Sequence, residues 1–379
     1  MDDIYKKALE LHKEHGGKLE TVSRINLDTK ESLSLAYSPG VAGVSIAISE
    51  DPDSAKEYTL KKNTIAVVSD GSSILGLGNL GPLAAIPVME GKAAIFKEFA
   101  GVDAFPICLD TQDTEEIIKA VKQIAPVFGG INLEDISAPK CFEIEERLRK
   151  ELNIPVMHDD QWGAATVTLS ALINSLKLRG LEKHETEVVL SGLGAAGVAT
   201  ARLLIEYGIT NITFVDSHGI VHGKRTDLNK EKLELLAKST TKKMEGGLVE
   251  AVVGANVFIG LSKPGVLTAD MIRTMSDRPI IFALANPTPE IMPEEAIEAG
   301  AFIVGTGRSD YPNQINNSLV FPGLFKGMLA RGGQFDNGIF VGVAEAIANH
   351  IKNPTSEYIL PSMFDKEVVN VVYKYVIKN

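Results

Sequence analysis

Residues 188–216 hold this chain to a narrow set of folds. Val188, Val189 and Leu190 form a short apolar run, and Gly192, Gly194 and Gly197 follow at G-x-G-x-x-G spacing. A proline-free helical stretch covers 196–207, and a second apolar run, 212–215, ends in Asp216. A buried strand that turns on glycine into a helix and returns as a strand is a parallel β-α-β unit. In such a unit the glycines give a tight turn and let backbone approach a pyrophosphate, with Ala195 and Ala196 opening the helix beside them. Asp216, 19 residues after Gly197, is placed for ribose hydroxyls. The competing reading is a βα turn of structural role only. Asp216 favours NAD, because its charge repels a 2′-phosphate. Lys224 and Arg225 follow closely enough to offset that charge, which keeps NADP open.

A second stretch, Gly76, Gly78 and Gly81, has the same spacing but different surroundings. Pro82 and Pro87 stand where a phosphate-binding helix would run, and proline removes donors and interrupts helices. The spacing therefore predicts a loop where two backbones pass closely.

The rest of the pattern is α/β. Strand-like runs fall at 65–68, 104–109, 154–157, 257–261, 279–285 and 302–304, and helical ones at the first twenty residues, 90–99, 114–124, 141–152 and 164–178. Alternation of this kind predicts parallel sheets covered on both faces. The 379 residues suffice for two or three cores. We divide the chain into an N-terminal α/β domain, 1–162, and a C-terminal Rossmann-type doubly wound sheet, 163–379, with a helical tail after 341.

Composition narrows the function. With 38 Lys plus Arg against 49 Asp plus Glu, the net charge of −11 argues against nucleic acid as a partner. Cys108 and Cys141 suit a reducing compartment. The charged N-terminus lacks a signal-peptide core, and no uninterrupted apolar run reaches the roughly 18 residues of a membrane span. The expectation is a soluble, cytoplasmic protein.

Two acidic pairs stand at element ends: Glu134-Asp135 and Asp159-Asp160. Three such carboxylates brought together would suit a hard divalent cation, and the alternative is solvated loop acids. His218 and His222 are four apart, but Gly219 and Gly223 interrupt any helix, so they read as loop histidines. His158 could orient a carboxylate, or be a structural histidine. Lys92 lies in an apolar stretch, 87–96, and reads as a surface helix lysine or as a buried base whose pKa is lowered toward about 7–8. Tyr37 precedes Ser-Pro-Gly in an irregular segment and reads first as packed on a turn.

Taken together, these stretches resemble the malic enzymes of the short bacterial type. The motifs are Tyr37-Ser-Pro-Gly-Val-Ala, Val68-Ser-Asp-Gly through Gly81, and Pro87-Val-Met-Glu-Gly-Lys92. They continue in Gly130-Ile-Asn-Leu-Glu-Asp135, Pro155-Val-Met-His-Asp-Asp160-Gln, Phe282-Ala-Leu-Ala-Asn286-Pro, and 307–317. The resemblance implies that Tyr37 is the general acid and Lys92 the general base, with Asp159 in support. It implies that 1–162 is the substrate and metal domain, with Glu134, Asp135 and Asp160 as ligands of Mg²⁺ or Mn²⁺. Asn286 and Asn317 would contact substrate or nicotinamide, and the Gly192–Gly197 turn would hold the NAD pyrophosphate. The implied reaction is oxidative decarboxylation of L-malate to pyruvate and CO2, by a homodimer.

Two departures from the family pattern stand out. Ala164 replaces a usual threonine and Ser73 an arginine found in long forms, so another cation must serve the substrate carboxylate. Some relatives act mainly as oxaloacetate decarboxylases or malolactic enzymes with the same acids, Lys92 and Tyr37, which leaves that alternative open. An amino-acid dehydrogenase with a lysine base is the reading from fold alone.

Overall fold

The computed structural model describes residues 2–241 and 245–379. Two sheets carry the molecule. The first has four strands, β1 (Thr64–Ser69), β2 (Asp103–Cys108), β3 (Gly130–Leu133) and β4 (Val156–His158), in the order β2-β1-β3-β4. All three pairings are parallel. β1, β3 and β4 are buried along their whole length, as expected of parallel strands covered on both faces.

The second sheet holds β5 (Val188–Ser191), β6 (Ile212–Asp216), β7 (Gly219–Ile220), β8 (Val257–Gly260), β9 (Ile280–Ala283) and β10 (Ile303–Thr306). Their order is β10-β9-β8-β5-β6-β7, parallel except for the β6–β7 hairpin. The chain leaves β5 toward β6 on one side and returns to β8 on the other, which opens a crevice at the C-terminal ends of β5 and β8. This is the doubly wound sheet read from 188–216.

One helix joins the sheets. Asp159–Arg179 runs directly from β4, and nearly all of it is buried. The sequence pattern placed its start at 164; the structure starts it five residues earlier, so Asp159 and Asp160 occupy the first helical turn rather than a loop. Carboxylates there face the positive end of the helix. The C-terminal helices fold back over the first sheet: Phe321 and Phe325, on the helix Phe321–Arg331, meet Phe96 edge-on at 4.7 and 5.5 Å. Gln334 accepts from Val156 N and donates to the carbonyls of Leu152 and Ile154. One buried cluster accordingly runs through both sheets, and a second, with Val189, Phe258 and Ile281, belongs to the second sheet alone.

Pro82 and Pro87 do not break the chain as the sequence suggested. A helix spans Pro82–Ile95 with Pro82 in its first turn, where no N–H is needed. Pro87 sits inside it, four residues after Leu83, which is 81% exposed. The carbonyl that loses its partner thus lies on the solvent-facing side. The glycine loop before the helix is a close crossing, as expected: a Cβ on Gly71 would lie 2.2 Å from Gly81 O, and one on Gly76 would lie 2.4 Å from Asn286 O.

The N-terminal arm differs from everything after it. None of residues 3–63 is buried, and Leu9, Val22, Leu35 and Ile46 stand open. Its Lys30–Glu50 stretch is apolar enough for a membrane span by composition, with mean hydropathy 1.3. It is nonetheless two helices, Lys30–Ala36 and Val41–Glu50, separated by the turn at Tyr37 to Gly40.

Candidate active site

The C-terminal ends of β1, β3 and β4 bring the first set of residues together. Lys92, on the helix Pro82–Ile95, is 7% exposed, and its Nζ lies 2.7 Å from Glu134 Oε1 and in direct contact with Asp159 Oδ2. The ammonium also sits over the Phe321 ring, 4.4 Å from its centre. Asn317 Nδ2 donates to the same Asp159 oxygen at 2.8 Å. A Cβ on Gly163 would lie 1.8 Å from Asp159 Oδ1, so only glycine fits there, one turn into the helix.

Glu134, Asp135 and Asp160 offer carboxylate oxygens that all lie within 4.8 Å of one another. Asn132 Nδ2 donates to Glu134 Oε2 at 3.0 Å, and Asp135 N donates to Asp160 Oδ2 at 2.7 Å. His158 Nε2 stands 3.2 Å from the same Asp160 oxygen. Asp135 adopts φ +54°, a left-handed conformation uncommon outside glycine that aspartate tolerates better than most residues.

The electrostatics are those of too many acids for one lysine. Burial, reinforced by Asp160, pushes the Asp135 carboxyl up to about 7. Burial also raises Glu134, against the pull of Lys92, and raises Asp159. At Asp160 burial is outweighed by His158, which holds the carboxyl low. Of the two readings that the sequence leaves open at Lys92, a surface helix lysine and a buried base with a lowered pKa, burial excludes the first. Burial does act to lower the pKa, but Asp159, Glu134 and Asp160 outweigh it and hold the ammonium above the usual lysine value. Asp135 Oδ2 is buried without a hydrogen-bond partner. A buried, unpaired carboxylate oxygen facing two further carboxylates fits a dication better than it fits any hydrogen-bond network.

Across the crossing at Gly76 lie the loops of the second sheet. Gly192 has φ +102°, and a Cβ there would lie 2.3 Å from Leu261 O. A Cβ on Gly197 would lie 1.9 Å from Gly192 O, whereas one on Gly194 would meet nothing within 4 Å. Two glycines thus serve close packing, and the third leaves open space at the start of the helix Ala195–Tyr207. Asn286 follows β9, and its side chain packs on Gly307.

At the far end of that crevice, Asp216 closes β6. Arg225 grips it with two hydrogen bonds of 2.8 and 3.0 Å, and Lys232 Nζ adds a third at 2.6 Å. Burial is outweighed by these cations, and the carboxyl is held down at about 2. Lys224, considered with Arg225 from sequence, instead faces Glu245 at the surface. Lys232 was not legible, because it comes from the helix Lys230–Lys238.

The structure does not bring Tyr37 to Lys92. The tyrosine caps the helix Lys30–Ala36, is 70% exposed, and makes no side-chain hydrogen bond to the acid cluster among the described residues. Ser73 is exposed, with its N–H donating to Asp135 O at 3.0 Å. Glu145 escaped the sequence reading. It is buried, accepts from His158 N, Gln161 Nε2 and Trp162 Nε1, and so fastens the turn that carries Asp159 and Asp160. Nothing in its helical, glutamate-rich surroundings marked it.

Residues 16–149 match the family described as malic enzyme, N-terminal domain, and residues 162–378 match the malic enzyme NAD binding domain. The chain is 50% identical over 379 residues to the bifunctional malic/malolactic enzyme of Bacillus subtilis, covering 99% of this chain and 92% of that one. It is 52% identical over 366 residues to the NAD-dependent malic enzyme of Geobacillus stearothermophilus, covering 96% and 76%. The crystal structure of an NAD-dependent malic enzyme from Thermotoga maritima superposes with a TM-score of 0.95 at 49% identity, covering 98% of each chain.

Proposed function

Because this chain belongs to the malic enzyme family, we propose that it oxidatively decarboxylates L-malate to pyruvate and CO2 with reduction of NAD(P). The observation that carries this reading is the buried lysine held between Asp159 and Glu134, beside three converging carboxylates. Glu134, Asp135 and Asp160 would hold Mg²⁺ or Mn²⁺, and the unpartnered Asp135 Oδ2 supports that assignment. When bound, the dication supplies a Lewis acid for the charge that develops on the C2 oxygen. The dinucleotide supplies the hydride acceptor.

The chain's own residues do the rest. With Glu134, Asp135 and Asp160 holding a cation, the part of the field on Lys92 that comes from Glu134 and Asp160 would be offset, and burial would act to free Nζ as a base. Lys92 takes the proton of the C2 hydroxyl as C2 gives up its hydride. Asp159 and Asn317 fix the position of Nζ through the Asp159 carboxylate. Loss of CO2 leaves an enolate, and Tyr37 protonates its C3 to give pyruvate. The open space at Gly194, beside Gly192, Ala195, Ala196 and Gly197, would take the pyrophosphate, with Asn286 toward the nicotinamide. Asp216 would take the ribose. Its two cations make the pocket acceptable to a 2′-phosphate as well, so NADP is a second cofactor beside NAD.

The exposed arm is the surface of a homodimer, and a second copy that covers it would carry Tyr37 toward a neighbouring site. That accounts for the lack of any buried residue among the described residues 3–63. Division of the chain near 162 separates the substrate and metal half from the dinucleotide half. Free Cys108 and Cys141 support a cytoplasmic location.

The test is appearance of reduced nicotinamide from L-malate with Mn²⁺ and either NAD or NADP. A steady rise matched by pyruvate and abolished by EDTA is expected. A second reading is malolactic or oxaloacetate decarboxylase activity, and the name of the Bacillus subtilis relative supports the malolactic form. Its signature is lactate, or pyruvate from oxaloacetate, with no net reduced nicotinamide.

A further inference from the structure

Glu290 is fully buried, and no lysine, arginine or histidine pairs with it among the described residues. Its Oε1 accepts from Ser262 N at 2.9 Å and faces Ser262 Oγ at 3.5 Å, while Oε2 accepts from Ala285 N at 3.0 Å. Ser262 lies just beyond β8 and Ala285 just beyond β9, immediately before Asn286. One carboxylate therefore spans the two loops that leave the sheet at the crevice.

The surroundings are built for it. A Cβ on Gly260, the last residue of β8, would lie 2.4 Å from Glu290 Cδ, so glycine there makes room for the carboxyl. The backbone of the same segment returns to the β8 loop, with Gly265 N donating to Pro289 O and Leu267 N to Glu290 O, both at 3.2 Å. Ser262 Cβ in turn would stand 3.1 Å from a Cβ on Gly192, and its Oγ is 3.3 Å from Ser191 Oγ. The Ser262 loop thus abuts the glycine turn, while the Ala285 loop carries Asn286. Burying a carboxyl without a counter-ion is costly, and an apolar side chain would fill the space without that cost. What an apolar side chain lacks is a pair of acceptors at a fixed separation.

We propose that Glu290 is a positioning residue for the dinucleotide: its carboxylate ties the loops after β8 and β9 and so sets Asn286 against the Gly192–Gly197 turn. The proposal rests on the reading of that turn as the dinucleotide site. Glu290→Gln keeps the volume but turns one acceptor into an NH2 donor that must face an amide N–H. Glu290→Asp keeps the charge but is too short to reach both amides.

The test uses the full chain, with NADH binding followed by calorimetry and Mn²⁺-dependent decarboxylation of oxaloacetate followed without dinucleotide. Both variants are expected to bind NADH about tenfold or more weakly, with KM for NAD rising in step, because small misplacements of positioning groups carry penalties of that order or larger. Decarboxylation, which uses the first sheet's residues, should stay at the wild-type rate. NADH binding at wild-type strength in Glu290→Gln overturns the proposal, and so does an equal loss in both assays, which marks a general structural role. A wild-type chain that binds no NADH overturns the dinucleotide reading, and this proposal with it. If neither variant folds, amide exchange in the wild type decides: NADH should slow Ser262 and Ala285 together, and unchanged exchange at both overturns the assignment.

Discussion

Two clusters of charge sit at the C-terminal ends of parallel strands, one on each sheet, and they are balanced differently. At the first sheet, Glu134, Asp135, Asp159 and Asp160 surround Lys92, and burial drives three of the four carboxyls upward. At the second, Asp216 meets both Arg225 and Lys232 and is held down at about 2. The same residue type at the same topological place thus sits in a deficit of positive charge in one sheet and in a balanced group in the other, where Arg225 also pairs with Asp227. A deficit is what a dication would relieve, whereas Arg225 and Lys232 are donors that a phosphate would engage.

The sharpest way to break that comparison is Lys92→Ala. It should lower kcat for malate about 10²- to 10⁴-fold, the usual contribution of a positioned general base, and a near-normal kcat would remove the lysine from the chemistry. Next is Asp135→Ala, which takes away the unpartnered carboxylate oxygen. The Mn²⁺ concentration needed for half-maximal activity should rise by at least about tenfold, since even partners of metal ligands cost that much. An unchanged metal titration would leave the acids as a structural cluster only. At the second sheet, Arg225→Ala with Lys232→Ala should cost NADP about tenfold in kcat/KM while affecting NAD less, as expected when cations facing a phosphate are lost. Equal losses for both dinucleotides would show that the two cations serve Asp216 alone.

The smallest signal concerns Tyr37. If the arm carries it into a partner's site, mixing Tyr37→Phe and Lys92→Ala chains should restore about a quarter of wild-type activity, because half the dimers are mixed and each regains one intact site. No restoration after subunit exchange would place Tyr37 within its own chain's site.

The region around Gly192 was the most legible part of the molecule, and the region around Lys92 the least. Strand, turn, helix and strand between 188 and 216 follow from glycine spacing and apolar runs, both of which are local. The acids Glu134, Asp135, Asp159 and Asp160 were visible as pairs, but their convergence was not. Asp159 and Asn317, which share a hydrogen bond, are 158 residues apart. Pro87 misled because proline's cost inside a helix depends on where the orphaned carbonyl faces, which no local pattern states.

The sequence by itself determined the parallel α/β architecture and the glycine turn, because backbone permissiveness and strand burial are properties of short stretches. Only the tertiary structure decided that Lys92 lies among carboxylates that raise its pKa, that Lys232 joins Arg225 on Asp216, and that Glu290 spans two loops. The charge state of a buried group is a sum over neighbours from every element packed around it, and those neighbours are chosen by the fold.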